Sequence, residues 1–107
     1  MIGRKNRRVT FEEAVQATDS VGDTVSSWVP IATVWASLEP LRGEEAQQAQ
    51  QAIATVTHRL RFRWSVQLDA LTPKHRARYG SRVLDIRSVS DIGGMHREIE
   101  VMATEQV

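Results

Sequence analysis

The chain contains no cysteine, so a disulfide framework, a thiolate metal site and a thiol nucleophile are all excluded, and stability must come from packing or assembly. Long apolar runs are missing as well: no stretch approaches the ~18 apolar residues of a membrane-spanning helix. The basic N-terminus passes straight into Val9-Thr10-Phe11-Glu12-Glu13 without the apolar centre of a secretion signal, which sets the expectation of synthesis in the cytosol. Catalytic signatures are equally scarce. Gly-x-Ser-x-Gly, a P-loop, a dinucleotide fingerprint and His-Glu-x-x-His do not occur. His58, His75 and His96 each lack a neighbouring His, Cys or carboxylate at metal-ligand spacing. The expectation is a protein that is not an enzyme and holds no metal and no cofactor.

What is present describes one folded domain. The 107 residues are 41% apolar and 25% charged, an ordinary globular balance with room for one modest core. A single domain over residues 1–107 is expected, with residues 1–7 as a flexible basic arm. The formal net charge of +1 conceals blocks of opposite sign. Residues 1–8 hold Arg4, Lys5, Arg7 and Arg8 with no acid. Residues 9–56 set seven acids against Arg42, and residues 57–82 set seven bases against Asp69. Blocks of this kind suit a protein that meets copies of itself or charged neighbours, or they pair within one fold.

The chain reads as a succession of strands. Val9, Phe11 and Val15 alternate with Thr10, Glu12 and Gln16, with Glu13 interrupting the apolar face. Asp19-Ser20-Val21-Gly22-Asp23 is turn chemistry, and Thr24 to Trp28 returns as the partner strand. Pro30 ends that strand or places it at a sheet edge. In Ile31 to Leu38, Val34, Ala36 and Leu38 alternate with Thr33, Trp35 and Ser37. Gly43 to Ala54, led by Glu44-Glu45 and rich in Ala and Gln, predicts one short helix. Thr57 to Trp64 is the clearest strand, with Leu60, Phe62 and Trp64 on one face and Arg59, Arg61 and Arg63 on the other. Ser65 to Lys74 reads as an exposed connection, and Arg76 to Tyr79 as a short strand. Gly93-Gly94 predicts a two-residue turn, a register that sets Ile86 against Val101, Leu84 against Ala103, Ser88 against Ile99, Arg87 against Glu100 and Asp91 against His96. Six or seven strands and one helix without βαβ alternation make the fold mainly β, a small antiparallel β-barrel or sandwich with one short helix.

Two sets of residues invite a functional reading. Arg59, Arg61 and Arg63 project from one strand face and could track phosphates. They read better as a solvated or intersubunit face, because no aromatic positions interleave with them as a single-strand-binding sheet would want. Trp28, Trp35 and Trp64 read as core or subunit-contact residues. The paired carboxylates Glu12-Glu13 and Glu44-Glu45 read as structural, the first pair pointing to opposite strand faces and the second opening a helix.

The order of elements resembles a known family, the phage head–tail joining or head-closure proteins, also called stopper or head–tail adaptor proteins. The resemblance runs from about residue 8 to residue 105. It is carried by Arg8-Val9-Thr10-Phe11, the Asp19/Gly22 hairpin followed by Trp28, Val34-Trp35-Ala36-Ser37-Leu38-Glu39-Pro40-Leu41, Gly43-Glu44-Glu45 before the Ala/Gln segment, Val56 to Arg63, Tyr79 to Ile86, and the closing hairpin. It implies a β-barrel subunit in a twelvefold or sixfold homo-oligomeric ring in the virion neck. That connector is assembled in the bacterial host cytoplasm, with portal and adaptor proteins above, tail proteins below and packaged DNA in its channel. It implies no catalytic residues. Leu41–Thr55 and Ser65–Lys74 are then the two candidates for a channel loop. Arg59, Arg61, Arg63, Glu44 and Glu45 become the candidate intersubunit or channel surface. The alternative reading is a small β-barrel nucleic-acid-binding protein.

Overall fold

A computed structural model describes residues 4–18, 20–22, 24–41 and 56–106. Six strands, β1 (Arg7–Thr18), β2 (Thr24–Pro40), β3 (His58–Arg63), β4 (Arg76–Tyr79), β5 (Arg82–Asp91) and β6 (Glu98–Glu105), account for most of them. They close into a barrel in the order β1-β2-β3-β6-β5-β4, with every neighbour antiparallel. Closure removes the free sheet edges that a small open sheet would expose. The predicted antiparallel barrel is therefore the fold. The helix expected over Gly43–Ala54 lies outside the described residues.

Strand alternation fills the interior. Val9 and Phe11 of β1, Leu60 and Phe62 of β3, Leu84 and Ile86 of β5, and Ile99 and Val101 of β6 are all buried in one cluster. Phe11 and Phe62 meet at its centre with ring centroids 4.7 Å apart, tilted by 47°, within the range aromatic pairs favour. The connection after β3 corrects the sequence reading. It is not merely exposed, because Leu68 and Leu71 turn inward and join the core.

β2 is one continuous strand through Pro30 rather than two. Its ladder with β1 shifts between Phe11↔Ala32 and Glu12↔Pro30, a bulge that leaves Ile31 as the extra residue. β2 meets β3 only over Ala36–Pro40, so at Pro30 the strand is paired on the β1 side alone, an edge position of the kind that tolerates proline. β1 meets β4 only over Thr10–Glu12. Residues 13–18 and 24–29 consequently pair with each other alone, as a two-stranded ribbon continuing past the barrel wall.

The β5–β6 hairpin exists, but its register differs from the expected one. Leu84 lies opposite Glu105 and Ile86 opposite Ala103; beyond a bulge at Arg87, Ser88 lies opposite Met102 and Asp91 opposite Ile99. The strands are joined not by a two-residue turn but by six residues, opening with a 3₁₀ turn at Ile92–Gly94. Gly93, Gly94 and His96 all take positive φ, and the Asp91 carboxylate accepts a hydrogen bond from the His96 N–H at 3.2 Å. Arg87 donates to Thr104 Oγ1 at 3.1 Å rather than facing Glu100. At Leu84 and Ile86 the offset from the expected register is two residues, which keeps side chains on their original faces, so the apolar pattern of Leu84, Ile86, Val101 and Ala103 fits both registers; beyond the bulge the offset is three.

Candidate functional site

With Leu60 and Phe62 pointing inward, the pleat of β3 sends Arg59, Arg61 and Arg63 to the outer wall. They do not behave alike. Arg61 lies opposite Glu100 of β6 and holds its Oε2 at 2.8 Å through Nε and 2.6 Å through Nη2. Arg59 reaches the same oxygen at 3.8 Å. Arg63 is exposed and has no ion pair among the described residues. Glu44 and Glu45, the acidic members of the expected surface, lie outside those residues.

Arg63 belongs instead to a groove of about 580 Å³ on the outer wall, where Lys5, Arg8, Arg97 and Glu98 join it around Trp35. Trp35 is out of phase with Val34 and Ala36 on β2, and it is 56% exposed. Its strand partner is Arg8, whose guanidinium stands 5.0 Å from the indole centroid. Lys5 Nζ sits 3.3 Å from Glu98 Oε2, while Arg8, Arg63 and Arg97 have no carboxylate partner among the described residues. Four cations against one acid around an accessible indole make an attractive seat for an anionic, partly apolar partner. This corrects the expectation that aromatics and arginines occupy different faces. That expectation followed β3 alone, where Phe62 and Trp64 do oppose the arginines, and overlooked the adjoining strands. The usable signal was the alternation of β2, which already separated Trp35 from the inward set.

A second cluster lies on the outer wall across β1 and β4. Glu12 is 3% exposed, covered by Arg76 at 2.8 Å and Arg78 at 2.7 Å. Arg76 in turn lies 4.2 Å from the Trp28 ring centroid. Here an acid of the 9–56 block meets bases of the 57–82 block inside one chain, which makes the cluster a fastening between two strands.

Two histidines also find carboxylates. His58 Nε2 is 3.6 Å from Glu105 Oε1, and Arg82 holds Glu105 at 2.7 and 2.9 Å. Burial pushes the His58 pKa down, Glu105 opposing and Arg82 adding to the shift. The hydrogen bond from Arg82 holds Glu105 below the usual carboxylate range. Asp69, Asp91 and His96 bring their ligand atoms within 4.8 Å of one another: Asp91 meets His96 at 3.4 Å, as the sequence pairing of the hairpin expects, and the carboxylate it does not show is Asp69. Sequence spacing could not have shown it, because Asp69 arrives from a separate connection. Asp69 accepts from Trp64 Nε1 at 2.9 Å, and the His96 imidazole stacks on Trp64 at 4.6 Å. Both carboxylates thus already brace the β5–β6 loop.

The comparisons agree with this architecture. Among solved structures, the solution structure of protein SF1141 from Shigella flexneri 2a is similar with a TM-score of 0.75 and 24% identity, over 97% of this chain and 95% of that one. A chain in the virion of a native gene transfer agent particle is similar with a TM-score of 0.62 and 24% identity, over 95% and 94%. At that identity both speak for the fold. No curated protein matches. A family model described as phage head completion protein matches residues 1–106. With its whole barrel inside that match, the chain belongs to the phage head completion protein family, a family of virion structural proteins.

Proposed function

We propose that this protein is a structural subunit of the tailed-phage neck, forming a twelvefold or sixfold ring that closes the DNA-filled head and joins it to the tail. The observation that carries the reading is the head completion match across residues 1–106. In this reading the ring is built in the host cytoplasm between portal or adaptor proteins and tail proteins, packaged DNA passes through its channel, and the subunit performs no chemistry. The similar chain in a gene transfer agent virion is part of an assembled particle, which suits that role.

Arg59, Arg61 and Arg63, with Glu44 and Glu45, remain the proposed intersubunit or channel surface. Among the described members of that set, Arg61 and Arg59 both turn to Glu100, and Arg63 is the one without an ion pair to a described residue. Of the two candidate channel loops, Ser65–Lys74 is anchored through Leu68 and Leu71, while the other, beyond Leu41, lies outside the described residues. Deleting the gene from a producing system should leave heads and tails unjoined, and supplying the wild-type chain should restore tailed particles. Normal yields of tailed, infectious particles from the deletion would overturn the proposal.

A further inference from the structure

The β1–β2 ribbon and the Trp35 groove lie at opposite ends of one strand. Arg8 is at the start of β1, and residues 13–18 and 24–29 run on past its barrel-bound part. At about 3.3 Å per residue the ribbon extends roughly 20 Å, and its end lies about 30 Å from Arg8. No chain can therefore fold its own ribbon into its own groove.

The ribbon is built to be covered. A two-stranded hairpin is marginal in water without a further strand or a packing face. Glu13, Ala14, Val15 and Gln16 are nonetheless all exposed, and Val21 near the tip is 79% exposed. Its charge is one-sided: between Glu13 and Val29 the sequence holds Glu13, Asp19 and Asp23 and no base. The groove is the complement, with Lys5, Arg8, Arg63 and Arg97 against Glu98, and with the exposed Trp35 at its centre. An acidic ribbon with apolar points matches a basic groove with an apolar floor.

We propose that the β1–β2 ribbon of one copy docks in the Trp35 groove of the next, where Arg8, Arg63 and Arg97 meet a segment whose sequence carries acids and no base. The occupant is a second copy of this chain, and the inference rests on the ring assembly proposed above. The contact is head-to-tail, one patch meeting a different one, so repetition yields a closed ring when the rotation closes.

The absence of cysteine gives a clean test. Particles are assembled with a chain carrying Val21→Cys and Arg97→Cys, both surface positions, and treated with a short thiol-reactive cross-linker. The expected result is a ladder of covalent multimers, with no ladder from either single variant. Asp19→Lys with Asp23→Lys should lower incorporation by at least about tenfold, and Arg8→Glu with Arg63→Glu in the same chain should restore it. Circular dichroism melts of each purified variant separate loss of docking from loss of fold. The chain present in particles without a ladder would overturn the docking and leave the neck reading standing. Absence of the wild-type chain from particles would overturn the neck reading itself. Absence of a ladder, together with short-oligonucleotide binding that Arg8→Glu and Arg63→Glu abolish, would make the groove a nucleic-acid site instead.

Discussion

Glu12 shows what a single side chain contributes. Its carboxylate is enclosed by Arg76 and Arg78, and hydrogen bonds to charged groups of this sort contribute about 1.5–3 kcal/mol each. Glu12→Gln keeps the shape but leaves two guanidinium groups without a charge partner, so a loss of about 2 kcal/mol in urea unfolding is expected. A change within experimental error would show that the cluster is ornamental to stability. His58 gives a pH-dependent counterpart. The folded chain favours the neutral imidazole; below the ordinary value of 6.5 the unfolded chain takes up a proton that the folded chain resists. Stability from this residue is therefore present above pH 6.5 and is lost as pH falls from there toward the lowered folded value. Urea midpoints should drop between neutral and mildly acidic pH in the wild type and drop less in His58→Gln; parallel profiles would contradict the assignment.

Among the elements, the connection between β3 and β4 is the most instructive. Its sequence, with Thr72-Pro73 at the centre, reads as surface loop, but Leu68 is fully buried and packs with the barrel core. Leu68→Ala should cost about 2–5 kcal/mol, measured as a lowered denaturant midpoint, whereas a true surface leucine would cost almost nothing. The same contrast explains what could be read from the sequence. β3 was legible because Leu60, Phe62 and the three arginines alternate strictly, and β4 was legible as a short strand. The β5–β6 register was not, because the two-residue offset at Leu84 and Ile86 preserves both faces, and the bulge at Arg87 that makes it three beyond that point leaves no mark in the apolar alternation. The groove was missed for a related reason: Lys5, Arg8, Trp35, Arg63 and Arg97 come from separate parts of the chain and converge only when the barrel closes.

For the whole molecule, the closed barrel buries its apolar cluster and carries a basic groove around Trp35 on its outer wall, while the sequence of the ribbon holds acids and no base. Charge blocks visible in the sequence partly cancel within the fold, as Glu12 with Arg76 and Arg61 with Glu100 show. Groove and ribbon lie at opposite ends of β1, the placement on which the proposed head-to-tail contact rests. The central claim is that this chain is a neck subunit, and electron cryo-microscopy of purified particles tests it most directly. The account expects a ring of these barrels in the density between the head vertex and the tail, with each ribbon reaching its neighbour; particles whose head–tail junction is fully accounted for by other chains would contradict it.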